Sequence, residues 1–98
     1  MLDFYFIKDG QPKTNNAQKM GLEPAGSLDD YTFEELQRRE IIDLRFDYYS
    51  TFRWDTRIIK QIQENLKHID KKDDCLGRLQ ELLEKASKRE SGLIAYGD

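Results

Sequence analysis

Between Phe46 and Asp55 the chain gathers five of its eleven aromatic residues, Phe46, Tyr48, Tyr49, Phe52 and Trp54, and the last of these is its only tryptophan. Side chains of that size bury about 150 to 250 Å² each, and at about 25 cal/mol per Å² five of them represent on the order of 20 kcal/mol. The net stability of a domain is only about 5 to 15 kcal/mol. A fold that left all five in water would lose most of its driving force, so most of the block must be packed. Phe46, Phe52 and Trp54 are the expected core members. Tyr48 and Tyr49 are adjacent and must diverge, which sends at least one phenol to the surface with Arg53 or Arg57 nearby.

The 98 residues have room for one domain, spanning positions 1–98, and a domain of this size buries roughly two thirds of its unfolded surface without help from metals or disulfides. Cys75 is the only cysteine and can form no internal disulfide. The formal net charge of −3 gives no general pull toward nucleic acid or anionic lipid. Arg38, Arg39, Arg45, Arg53, Arg57 and Lys60 do interleave with the aromatic block, a pattern that binds single strands. Glu40, Asp43, Asp47 and Asp55 neutralise most of that charge, leaving nucleic-acid binding a weak alternative. Leu2 to Ile7 is too short for the apolar region of a signal peptide and is interrupted by Asp3, and no apolar run approaches membrane-spanning length. The expectation is a complete, soluble, cytoplasmic small protein.

Leu2-Asp3-Phe4-Tyr5-Phe6-Ile7 alternates as a strand, with Leu2, Phe4 and Phe6 on one face. Lys8 to Gly21 has loop chemistry and is the expected mobile segment. Leu22 to Leu28 contains Pro24, which a strand tolerates at a sheet edge but not in the middle. Asp30 or Thr32 can cap a first helix running to about Glu40, with Phe33, Leu36 and Ile41 as its apolar stripe. Asp55 caps a second helix through Ile58, Ile59, Ile62, Leu66 and Ile69. A third begins near Asp70 or Asp73 and carries Cys75, Leu76, Leu79, Leu82, Leu83 and Ala86 on one side, with Gly77 marking a close approach by another element. Ser91-Gly92 stops it, and Leu93 to Tyr96 reads as a last strand pairing with the first. The fold class expected is α+β: a small, mostly antiparallel sheet that includes the N- and C-terminal strands, packed with about three helices.

Groupings that carry chemistry are sparse. His68 stands alone and reads as a surface or boundary histidine, and Cys75 falls on an apolar helix stripe, where a thiol behaves as a small hydrophobe. Asp70, Asp73, Asp74 and Gly77 miss the alternating ligand pattern of a calcium loop, and helix capping explains them better. No metal, cofactor or catalytic residue is expected. Tyr, Trp and Arg are enriched where protein interfaces carry most of their energy. The candidate partner-binding residues are therefore Tyr48, Tyr49, Arg53 and Arg57 from the aromatic block, with Asp29, Asp30 and Glu34 from the acidic start of the first helix.

Leu2-Asp3-Phe4-Tyr5-Phe6, the Gly26-Ser27-Leu28 step before a short acidic helix, and Asp47-Tyr48-Tyr49 followed by Phe52-Arg53-Trp54 resemble small bacterial proteins, some of which serve as immunity factors beside secreted toxins. That resemblance implies stoichiometric binding and inhibition of a toxin partner rather than catalysis. The expected function is a non-enzymatic protein-interaction module; the alternatives are a small ligand-binding protein or enzyme with a pocket at the aromatic block, and a weak nucleic-acid binder.

Overall fold

The computed structural model describes residues 1–11, 21–69 and 73–97. Among these residues four strands and three helices follow in the order β1 (Leu2–Ile7), β2 (Pro24–Leu28), α1 (Asp30–Arg38), β3 (Thr51–Trp54), α2 (Thr56–Lys67), α3 (Asp74–Lys88) and β4 (Gly92–Tyr96). The strands make one antiparallel sheet in the order β2-β1-β4-β3, so the fold is α+β with the first and last strands paired at its centre. Pro24 sits in the edge strand β2, where its missing N–H breaks no central ladder.

Registers place side chains by face. Leu2 lies opposite Leu28, Phe4 opposite both Gly26 and Ala95, and Phe52 opposite Ala95, so Leu2, Phe4, Leu28, Leu93, Ala95, Phe52 and Trp54 share the face that meets the helices. Ala95 stands between two phenylalanines, and its short side chain lets the rings of Phe4 and Phe52 approach edge to face at 6.2 Å across it. Trp54 reaches Phe4 at 5.2 Å and Phe52 at 5.6 Å, and Phe46 closes on Phe52 at 5.1 Å. Phe52 and Trp54 are buried as expected, while Phe46 is only half-buried against the same cluster. Ile7 and Ile94 are buried on the opposite face, outside that cluster.

Phe33 and Leu36 of α1, Ile59, Ile62 and Leu66 of α2, and Leu76, Leu79, Leu82, Leu83 and Ala86 of α3 complete the core. Each helix starts on an aspartate whose carboxylate accepts a backbone N–H three residues on: Asp29 from Thr32, Asp55 from Ile58, Asp73 from Leu76. The expected cap Asp30 is instead already helical, and Thr32 is buried; Asp29, one place earlier, is the residue that retains extended backbone. Asp70 lies outside the described residues, and Asp73 is the start signal that operates for α3. Both α1 and α3 end on a glutamate in the left-handed region, Glu40 (φ 61°) and Glu90 (φ 52°). Each glutamate N–H donates to the carbonyl three residues back, Gln37 or Ser87, and the next N–H, of Ile41 or Ser91, to Leu36 or Ala86, the paired bonds of a Schellman stop. Helix α3 is thus terminated by Glu90 before the expected Ser91-Gly92 step, and Gly92 already belongs to β4.

The close approach expected at Gly77 does not occur. Gly77 is exposed, and a Cβ added there would meet nothing within 4 Å. Its backbone is ordinary helix, so the glycine costs stability with no packing gain to offset it. Gly77→Ala should therefore stabilise the protein by about 1 kcal/mol in urea titration. An unchanged or lower midpoint would mean that the position is not free.

Candidate functional site

The segment between α1 and β3 is built from two successive turns, each opened by an aspartate. Asp43 accepts from the Arg45 N–H at 2.9 Å and Asp47 from the Tyr49 N–H at 3.0 Å, while the Phe46 and Ser50 amides return to the Asp43 and Asp47 carbonyls. Gln37 of α1 anchors the first turn, its Nε2 donating to the Asp43 carbonyl at 3.2 Å and the Phe46 carbonyl at 2.6 Å. Gly97 anchors the second: its N–H donates to the Ser50 carbonyl at 3.1 Å, and a Cβ there would run into the backbone of Tyr48 and Tyr49. Only glycine permits that approach.

Clamped from both sides, the two tyrosines diverge as adjacent residues must. Tyr48 is half-buried, its ring centroid 5.8 Å from that of Phe33. Tyr49 is 65% exposed and stands edge to face on Tyr48 at 5.0 Å. Tyr49 is the exposed phenol of the block.

Neither arginine is beside it. Arg53 points to the face away from the helices and donates to the carbonyls of Lys8, Asp9 and Gln11, the Asp9 bond being 2.9 Å. Asp9 in turn accepts from the Thr56 N–H at 3.0 Å and from the Thr56 hydroxyl, and those bonds hold its carboxyl below the ordinary aspartate value. Arg53 is therefore a fastener between β3 and the turn after β1. That turn, Lys8–Gln11, is the start of the segment expected to be mobile; the remainder up to residue 20 lies outside the described residues. Arg57 is exposed on the first turn of α2, at the opposite end of β3 from Tyr49, on the order of 13 Å of strand away.

The acidic candidates separate in the same manner. Asp29 is held by the Thr32 amide and lies 3.5 Å from Arg78 of α3, and Arg39 at the other end of α1 joins Glu35 and, at 2.7 Å, Asp73. These bonds tie α1 to α3 and hold the Asp29, Glu35 and Asp73 carboxyls below their ordinary range: Asp29 chiefly through Thr32, Glu35 through Arg38 and then Arg39, Asp73 through Arg39. Asp30 and Glu34 are exposed and, among the described residues, take part in no ion pair. Tyr31, which the sequence reading passed over, is 67% exposed, and Leu44 beside the first turn is 78% exposed. Helical spacing marks Tyr31: at about 100° per residue it falls opposite the Phe33 and Leu36 stripe.

His68 is exposed, 3.8 Å from Glu64, and Cys75 is half-buried. Among the described residues no group of three His, Cys, Asp or Glu side chains is placed to hold a metal ion, and no helix is long and apolar enough to cross a membrane. No protein-family model matches the chain, and no curated protein or solved structure is significantly similar to it.

Two outcomes follow from these bonds. Arg53→Met, which keeps the apolar stem, should lower stability by about 2 kcal/mol and speed amide exchange at Gln11, whose N–H closes the Lys8 turn, because three carbonyls lose a charged donor. Unchanged exchange at Gln11 would count against the fastener. The depressed carboxyls of Asp9, Asp29, Glu35 and Asp73 contribute stability that is complete above the unfolded carboxyl range near about pH 4 and is lost as pH falls through their lower folded values. Thermal midpoints should therefore fall as pH drops below about 4, and Arg39→Met should flatten that fall.

Proposed function

We propose that the protein is a non-enzymatic protein-interaction module of the immunity or inhibitor type, with Tyr49 as the centre of its contact surface. The supporting observation is a large aromatic side chain held outside the core by a rigid support. Tyr49 is 65% exposed, although its backbone is fixed by Asp47 on one side and Gly97 on the other and its ring by Tyr48. Fixing an exposed aromatic in advance lowers the ordering cost of binding, and rigid tyrosines serve well as interface anchors for that reason. Leu44, on the preceding turn, adds a second exposed apolar side chain to the same segment. The class of partner proposed, a toxin protein, rests on the sequence resemblance alone.

The space beside Tyr48 that a small-molecule reading would need is occupied by rings. Phe52 lies 6.0 Å from Phe33, 5.1 Å from Phe46 and 5.6 Å from Trp54, and Phe46 lies 5.9 Å from Trp54.

The products of the genes adjacent to its own are the partners to mix with the purified protein, followed by size exclusion and calorimetry. Tyr49→Ala should leave the unfolding midpoint within about 0.5 kcal/mol of the parent and weaken the complex at least about tenfold. A complex that survives Tyr49→Ala at full affinity, or the absence of any complex, would remove this reading.

A further inference from the structure

We infer, building on the interaction reading above, that the partner presents arginine side chains, and that the contact extends from Tyr49 across the outer flank of α1 through Asp30 and Glu34 to Tyr31. The argument is one of adjacency and charge. Phe33 and Gln37 are the α1 residues that touch the turn segment, through the Tyr48 ring and through the Asp43 and Phe46 carbonyls. At about 100° per residue, Asp30 and Glu34 occupy the next strip around the helix, and Tyr31 the outward pole beyond them. Exposed tyrosine, exposed carboxylates and exposed tyrosine therefore follow one another across this surface, with Asp47 exposed at the turn.

The opposite flank of α1 shows what an acidic residue does here when it has a structural task. Glu35 is paired to Arg38 and Arg39, and Asp29 to Arg78. Arg38 shares the outward pole with Tyr31, but its guanidinium is turned to Glu35. Among the described residues no cation pairs with Asp30, Glu34 or Asp47. Asp30 and Asp47 accept only from backbone amides of adjoining residues. Three uncompensated carboxylates flanked by two tyrosine faces form a complement for guanidinium in particular. Its plane stacks on an aromatic face while its forked donors meet a carboxylate, and the compact ammonium of lysine does only part of this.

The probes are three synthetic decapeptides alternating glycine with arginine, lysine or glutamate, titrated into the isotopically labelled full chain and followed by amide chemical shifts. The arginine peptide should move amides concentrated at Asp30 to Glu34 and Asp47 to Ser50. It should bind more tightly than the lysine peptide and weaken with salt, whereas the glutamate peptide should leave the spectrum unchanged. The double variant Asp30→Asn with Glu34→Gln should lose about fivefold in affinity, as should Tyr31→Ala. The charge-matched pair Glu81→Gln with Glu84→Gln on α3 should lose none. Equal losses in the α3 pair, or shifts scattered over all acidic surfaces, would reduce the effect to net charge and overturn the inference. A complex with a neighbouring gene product that is weakened by Tyr49→Ala, but by neither α1 variant, would keep the interaction reading and remove this one.

Discussion

The structure depends on one row of rings crossing its sheet. Phe4 on β1 and Phe52 on β3 belong to strands that are not hydrogen-bonded to each other, and they meet only because β4 presents Ala95 between them. A larger residue at 95 would part the rings, and with them Trp54 and the half-buried Phe46. Interiors at crystal-like density do not absorb such a change cheaply. Everything on the α1 side follows from that row, since Phe33 rests on Phe52 at 6.0 Å and Tyr48 rests on Phe33. The exposed Tyr49 is thus the outermost ring of a chain of contacts that begins at the centre of the sheet.

Charge divides the same surface differently. Several ion pairs connect elements far apart in the chain: Arg39 to Asp73, Arg78 to Asp29, Arg89 to Glu23. Exposed pairs of this kind are each worth little, yet they also fix which way a helix end faces. Arg89 combines such a pair with stacking over Phe6 at 4.2 Å, which covers the half-buried ring at the rim of the sheet. Lys85 reaches the Ala25 carbonyl at 3.4 Å and shields part of the β2 edge, whose Pro24 already discourages further strand pairing.

Much of the fold was legible in the amino-acid order because the signals were local. Alternation marked β1, helical spacing marked the three helices, and Pro24 marked an edge. The ends were harder to read. Asp29, Asp30 and Thr32 are all chemically competent caps, and the choice falls to the residue still extended after Leu28 leaves the sheet. Glu40 and Glu90 adopt a conformation that favours glycine, so composition gave no warning of either stop. At Gly77 the residue type suggested a constraint that the surroundings lack. Tyr48 and Tyr49 touch each other as sequence neighbours, and Tyr48 meets Phe33 of α1, the helix that carries Asp30 and Glu34. Arg53 could not be assigned from sequence because its partners lie more than forty positions away, at Lys8, Asp9 and Gln11. Arg57 is carried off by the direction in which α2 leaves β3.

Strand β4 is last in the chain and interior in the sheet, inserted between β1 and β3. Its partners in β1 are separated from it by nearly the whole chain, as Asp3 pairs with Tyr96 and Ile7 with Gly92. Closing a loop of that length is entropically unfavourable before any contact rewards it. Until β4 arrives, β1 with β2 and β3 lack the strand that joins them into one sheet. Because β4 is made after every other element of the sheet, Phe4 and Phe52 gain the Ala95 strand between them only late, and a pause upstream of Gly92 would favour an aggregation-prone intermediate over a partly working domain.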